Sequence, residues 1–320
     1  MNATSKLLNQ PHATLKCASL ASRVALAALA LLTSNRALAS PADLFVSQPS
    51  DAANDGSIIA FSSLGQRSTF ASGLSSFVGD LAFDSTANLF EVDHTSTSIT
   101  DTIYKIGPSG ARSAFASATY LEGIAFNKAG DLFAAKSDGN GGGSIIWFAP
   151  DGSSTTFVTG LTSPAELAFD ASGNLFLSEG SPANQVLKFA ADGTQSIFAS
   201  GLFDPTGIAF DQGGNLFVAD QSSGKVLRFT TTGTQSTFGT AVQPIDVAFD
   251  AAGNLFVSDY NNGLVQNGGF IYKFAPDGTR TTFASGIDPT FIAYQAVPEP
   301  SSGALVALCL FGLTTVRRRF

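Results

Sequence analysis

Four carboxylates recur at one place in a repeated pattern. Asp80, Glu122, Glu166 and Asp246 each stand just before an apolar triplet of the Leu-Ala-Phe, Ile-Ala-Phe or Val-Ala-Phe type. Gathered round one mouth, such groups would hold a divalent cation such as calcium or draw in a cationic ligand. The plainer alternative has them accept hydrogen bonds from backbone amides of neighbouring units and stay in water. These four are the ligand-binding candidates; no catalytic residue and no resident cofactor is assigned.

Two further groups of polar residues invite the same question. Asp93, Lys136, Glu179, Asp220 and Asp259, with Gln48, end equivalent segments such as "FEVD", "FAAK" and "FVSD". Capping of the loop that follows is the expected role. In "SDGNGGGS", Asp138 and Asn140 alternate like the start of a calcium loop, but no glutamate follows at the distance such a loop requires. His94 is the only histidine between the two terminal segments, so no histidine pair is available for metal or base chemistry.

The elements that position these residues come from a repeat. Leu-Phe pairs recur at 44–45, 89–90, 132–133, 175–176, 216–217 and 255–256. The copy "PTGIAFDQGGNLFVADQSSGKVLRFTTTGTQSTFGT" holds four short apolar or alternating runs, each bounded by Gly, Asp, Asn or Thr. Four strands in about 40 residues make one blade of a β-propeller. The first copy starts midway, lacking two preceding strands' worth of sequence, and the last supplies an outer strand and then an inner one. Residues 287–296 are thus expected to complete the blade begun by residues 43–66. The fold expected is therefore all-β: six four-stranded antiparallel blades over residues 40–296.

Spacing also tells which face varies. Six residues separate the Phe ending each first strand from the next Leu-Phe pair, as from 83 to 89 or 249 to 255. Asp84, Asp170, Asp211 and Asp250 open those constant turns and read as turn formers. The connection from second to third strand differs instead, from nine residues (Phe217 to Val226) to 15 (Phe256 to Ile271). All length variation thus falls on one face, where binding on a rigid scaffold usually resides.

Units such as "PTGIAFDQGGNLFVADQSSGKVLRF" and "PIDVAFDAAGNLFVSD" resemble NHL-repeat and gluconolactonase-like six-bladed propellers. The resemblance implies a fold shared by lactonases, lyases and binding modules. "EGIAF" at Glu122 is similar to the acidic motif with which gluconolactonase-like enzymes hold a divalent metal. The matching positions Gly79, Ala165, Thr206, Ile245 and Thr290 lack the expected Asn and Asp ligands.

Charge and cysteine usage narrow the class. Residues 40–300 carry 10 basic against 25 acidic side chains, a balance that repels nucleic acid and anionic membrane surfaces. The two cysteines, Cys17 and Cys309, lie in the terminal segments, leaving the repeat body without a thiol. Residues 1–39 read as a signal peptide: Lys6, Lys16 and Arg23 precede "VALAALALL", and "ALA" ending at Ala39 sets cleavage by signal peptidase before Ser40.

The last segment, 297–320, opens on Val297, Pro298, Glu299 and Pro300. An apolar run of 14 residues follows, then Arg317, Arg318 and Arg319. The run is short of the about 20 residues of a relaxed spanning helix, and the arginines would hold its end on the cytoplasmic side. These three parts in order resemble the PEP-CTERM sorting signal of Gram-negative bacteria. That resemblance implies processing by an exosortase-type membrane enzyme, transient anchoring in the inner membrane by a C-terminal helix, and delivery to the outer surface or extracellular matrix. Three functions stay open: a module binding an extracellular polysaccharide or protein, a metal-dependent gluconolactonase-like hydrolase, and a spacer with no ligand.

Overall fold

The computed structural model describes residues 44–49, 56–94, 98–260 and 268–295. The expected signal peptide and its cleavage site, and the C-terminal sorting segment with its expected membrane helix, lie outside these residues. Among the described residues, six four-stranded antiparallel sheets form the propeller. Blade one joins β24 (Ile292–Tyr294), β1 (Leu44–Gln48), β2 (Gly56–Phe61) and β3 (Arg67–Leu74), so the two ends of the ring share a blade as the repeat count predicts. Blades two to six follow in chain order. Their inner strands are β4 (Phe77–Phe83), β8 (Leu121–Phe126), β12 (Pro164–Phe169), β16 (Pro205–Phe210) and β20 (Pro244–Phe249).

Closure rests on short, specific bonds. Leu44, Phe45 and Val46 pair with Tyr294, Ala293 and Ile292. The Ser47 amide donates to the Phe291 carbonyl at 2.9 Å, and the Ser47 and Thr290 hydroxyls meet at 2.7 Å. The pairing removes the free edge that an open ring would expose.

Phenylalanine holds the blades to one another. The Phe of each Leu-Phe pair meets the outer-strand Phe of its own blade and the aromatic residue ending the inner strand of the next. Thus Phe90 contacts Phe115 and Phe126, Phe176 contacts Phe198 and Phe210, and Phe217 contacts Phe238 and Phe249, all at centroid distances of 4.9–5.2 Å. Across the closure Phe256 meets Tyr294 at 6.3 Å. The Phe–Phe pairs are edge-on and the Phe256–Tyr294 pair is stacked. Such aromatic pairs are worth roughly 0.5–1.5 kcal/mol each beyond their buried area. The 28 phenylalanines of the sequence are thereby largely explained as inter-blade packing.

The constant turns behave as expected. The Asp84 carboxylate accepts the Asn88 amide at 2.9 Å and its side-chain nitrogen at 2.7 Å; Asp170, Asp211 and Asp250 repeat both bonds with Asn174, Asn215 and Asn254. Each turn is closed by its own aspartate, so these four carboxylates serve the turns.

Candidate functional site

One irregularity aims the central side chains. In β4, β8, β12, β16 and β20 the ladder to the second strand slips by one residue near its start, between Val78 and Leu81, Leu121 and Ile124, Pro164 and Leu167, Pro205 and Ile208, and Pro244 and Asp246. A bulge of this kind re-aims the extra residue. Here it directs the second bulge residue into the central channel. Around the ring that residue is Asp80 in blade two, Gly123 in three, Glu166 in four, Gly207 in five and Asp246 in six. Acid and glycine alternate.

The glycines make room for the acids. A Cβ on Gly123 would lie 2.8 Å from Glu166 Oε1, and one on Gly207 would lie 2.4 Å from Asp246 Oδ1. The acids in turn bridge blades. Asp80 accepts the Leu81 amide at 2.6 Å and the Ile124 amide of blade three at 2.7 Å. Asp246 accepts the Val247 amide at 2.7 Å and the Ile292 amide of blade one at 2.8 Å. Glu166, one methylene longer, accepts the Leu167 amide at 3.0 Å through Oε1, and its carboxyl also shares a hydrogen bond with that of Asp80. Two serines pin the bulges: Ser178 and Ser258 accept the Glu166 and Asp246 amides at 3.0 Å and donate to the Thr206 and Thr290 carbonyls of the next blade at 2.6 Å.

The structure thus divides the four candidates. Asp80, Glu166 and Asp246 are 3–6 % exposed and line one cavity of about 280 Å³, which runs past Phe210, Phe249 and Tyr294 toward the constant-turn face. They bond neighbouring amides, as the plainer reading held, but they are buried rather than solvated. Burial pushes Asp80 up to about 6 and Glu166 and Asp246 well above the usual carboxylate range, and their mutual repulsion adds to the shifts of Glu166 and Asp246.

Glu122 stands one residue earlier, on the outer side of its bulge, and remains accessible to water. Crowding by protein atoms at the mouth pushes its carboxyl to about 7, with His94 opposing and Asp101 reinforcing the shift. His94 itself is oriented: Nδ1 lies 3.1 Å from Asp101 Oδ1, and Asp101 Oδ2 accepts the Leu121 amide at 2.7 Å. Its Nε2 occupies the space that a Cβ on Gly79 would need. The His94–Asp101 pair was not anticipated from the sequence. Continuing the Asp93–Thr102 pairing outward by one step brings these residues opposite each other, which is the signal that would have found it.

The segment-ending acids cap, though not in the expected direction alone. Glu179, Asp220 and Asp259 are buried and accept the amides of Thr162, Phe203 and Val242, fixing the link into the inner strand of their own blade. Glu179 and Asp220 also bond the following loop through Gln185 and Ser223. Asp93 departs from this pattern and pairs with Arg112. In the glycine loop Asp138 accepts the Asn140 and Gly142 amides at 2.8 and 3.0 Å, so its carboxylate serves the turn.

The rim carries exposed apolar side chains where links enter inner strands: Phe77, Tyr120, Phe203 and Val242. Tyr120 is held in the left-handed region at φ 52°, and its ring lies on Gly139, whose absent Cβ would otherwise stand 3.0 Å from it. A left-handed tyrosine is uncommon and costs conformational energy. The packing on Gly139 fixes this ring, two residues before Glu122 in the chain, before any ligand arrives.

A divalent metal of the kind implied for gluconolactonase-like propellers finds no matching donors on the ring of Glu122. The other positions are Gly79, Ala165, Thr206, Ile245 and Thr290. The Thr206 hydroxyl donates to the Ile245 carbonyl at 2.6 Å, and that of Thr290 meets Ser47. Among the described residues no grouping of His, Cys, Asp or Glu is spaced to hold a metal ion. The donor set does not fit.

Comparison with known proteins agrees with this architecture. Residues 123–238 match the SMP-30/Gluconolactonase/LRE-like region, and residues 296–319 match the PEP-CTERM protein-sorting motif. No curated protein matches the chain at significant similarity. Among solved structures, a putative gluconolactonase is 17% identical with a TM-score of 0.55, covering 77% of this chain and 88% of its own. A gluconolactonase from Xanthomonas campestris is 17% identical with a TM-score of 0.57, covering 78% and 87%. A catalytically inactive virginiamycin B lyase from Staphylococcus aureus, with quinupristin, is 15% identical with a TM-score of 0.55, covering 81% and 94%. At these identities the likeness is one of fold.

Proposed function

From the premise that the chain couples a gluconolactonase-like six-bladed propeller to a PEP-CTERM sorting motif, we propose that it is a surface-sorted binding module whose variable face engages a component of the extracellular matrix. The motif implies export and processing by an exosortase. On this reading signal peptidase removes residues 1–39, and the apolar run after Pro300 anchors the chain only until it is processed.

The observation that carries the binding role is Tyr120. The left-handed backbone beneath it recurs at Ser163 and Asp204 in the equivalent links and belongs to the fold, but an exposed aromatic ring seated there on a glycine is a pre-ordered contact. Phe77 and Phe203 stand exposed at comparable links, and Glu122 with the His94–Asp101 pair supplies polar contacts at the centre. Aromatic side chains with a few convergent polar groups are the usual lining of a binding site. A hydrolase of the metal-dependent kind is not favoured, because the donors on the ring of Glu122 do not fit it.

The test is rebinding of the mature protein to matrix prepared from the cells that produce it. Combined Tyr120→Ala and Phe203→Ala substitutions are expected to weaken retention at least about tenfold, the scale of one lost hot spot. Circular dichroism and thermal unfolding should stay near wild type. Equal retention of the wild type and the double variant would overturn the assignment.

A further inference from the structure

We infer that Asn140 is a site of self-catalysed deamidation, in the loop that joins β9 (Leu132–Ser137) to β10 (Gly142–Phe148) on the variable face. The Gly141 amide nitrogen attacks Cγ of Asn140, and the new C–N bond closes a five-membered imide. Nδ2 leaves as ammonia, taking the proton that the Gly141 nitrogen gives up. Water then opens the imide at either carbonyl. One opening yields aspartate; the other yields isoaspartate, in which the main chain runs through the side-chain carbons.

Three features of the loop support this chemistry. Asn140 and Gly141 are both exposed, so water can enter and ammonia can leave. Gly141 has no β-carbon to shield its nitrogen, and its φ of 87° lies where glycine is at ease. The attacking nitrogen is also unspent. Asp138 accepts the amides on either side of it, from Asn140 at 2.8 Å and Gly142 at 3.0 Å. The Gly141 amide itself donates no hydrogen bond among the described residues. The leaving group is loosely held, since Asn140 Nδ2 reaches the Asp138 carbonyl at 3.3 Å.

The other described asparagines are held differently. Asn88, Asn174, Asn215 and Asn254 give their side-chain nitrogens to turn aspartates at 2.6–2.7 Å, and each precedes a leucine that begins a strand. Asn127 bonds Asp131 at 2.9 Å, and Asn184 accepts the Asp204 amide at 2.9 Å. Conversion at 140 would put a carboxylate where a donor now faces the Asp138 carbonyl. Isoaspartate would also add one backbone atom between Asp138 and Gly142, whose two mutual bonds at 2.9 and 3.0 Å close the loop. The Gly141 carbonyl accepts the Ser163 amide, and Gly139 carries the Tyr120 ring. The change therefore reaches the link into blade four and the seat of Tyr120. The chemistry itself does not depend on what the face binds.

The experiment incubates the mature protein at pH 8, folded and in parallel unfolded in urea, followed by brief tryptic digestion and mass spectrometry. In the folded protein, residue 140 should gain the mass of a carboxyl over an amide, as a mixture of aspartate and isoaspartate. Its rate should lie within about tenfold of that in urea, because nothing in the loop holds the reacting groups apart. The asparagines of the constant turns should stay unchanged while folded. Gly141→Ala should slow conversion at least about tenfold, since a β-carbon then hinders the nitrogen. No neighbouring atom lies within 4 Å of that carbon, and the urea arm reads the same hindrance without the fold. The Asn-Gly pairs at 262–263 and 267–268 fall in a different tryptic peptide. A residue 140 that stays intact when folded but converts in urea, equal conversion of the folded turn asparagines, or an unaltered rate in Gly141→Ala would each overturn the inference.

Discussion

Replacing Arg112 with methionine is expected to cost the propeller about 3–5 kcal/mol at pH 8, the scale of a buried ion pair broken from one side. Its guanidinium lies across Tyr104, 3.5 Å from the ring centroid. From there it reaches two carboxylates of blade two: Nε donates to Glu91 Oε1 at 2.8 Å, and a terminal nitrogen bonds Asp93. Glu91 is fully buried, and burial pushes it up to about 7 against the pull of Arg112. Other blades place Leu177, Val218 or Val257 where blade two has Glu91, so the arrangement is peculiar to that blade. Removing the arginine alone strands two acids in the core. The Glu91→Leu, Arg112→Met pair should recover much of the loss, since an aliphatic residue at this place is what the fold uses elsewhere. Guanidinium unfolding of the two single variants and the double variant measures the coupling. Strictly additive losses would refute this account.

Between pH 5 and pH 8 the wild type is expected to lose roughly 10 °C of unfolding temperature. Asp80 near 6 and Glu91 near 7 both lie above their ordinary values, and burial raises Glu166 and Asp246 well above theirs. A carboxyl raised on folding contributes stability that is complete below its unfolded pKa, near 4. That contribution is lost as pH rises through its folded pKa. From Asp80 and Glu91 alone the loss is on the order of 5 kcal/mol by pH 8. His94, raised by Asp101 despite burial, acts in the same direction. Asp84 and Asp170, lowered by their asparagine partners against partial burial, contribute stability that is lost below about pH 4. The optimum should therefore lie near pH 5. Glu166→Gln should flatten the alkaline limb and leave the acid limb unchanged. Calorimetry across pH in amine-free buffers decides this, and a stability maximum at pH 8 would contradict it.

Much of the architecture was legible because the repeat writes it twice, in spacing and in residue type. The six-residue interval from Phe to Leu-Phe is the length of a turn whose aspartate and asparagine then bond each other, so the turn could be read from its ends. The missing strand at the start and the surplus strand at the end implied a shared blade, and β1 with β24 forms it. The candidate site was legible only in part. A bulge has no residue signature, so nothing in "GDLAF" or "AELAF" announces that the acid turns inward while Glu122, one place earlier, stays in water. The alternation of Gly123 and Gly207 with the three acids acquires meaning only once the blades are set in a ring. His94 and Asp101 were hidden because a variable loop separates them and only the ladder register brings them together.

The shared blade also fixes how the ring would bear a pull. Leu44, where β1 begins, is the register partner of Tyr294, where β24 ends, so both described ends of the ring emerge side by side. Any tension passed through the segment beyond Gln295 runs along β24 and drags it lengthwise past β1. Three residue pairs and the bonds gathered at Ser47 and Thr290 resist it. Antiparallel bonds lie across the strands, so they share such a load together rather than parting one after another. The closing strand is therefore the mechanical fuse of the molecule. Under flow, a tethered propeller would yield at blade one, and the other five blades would keep their strands.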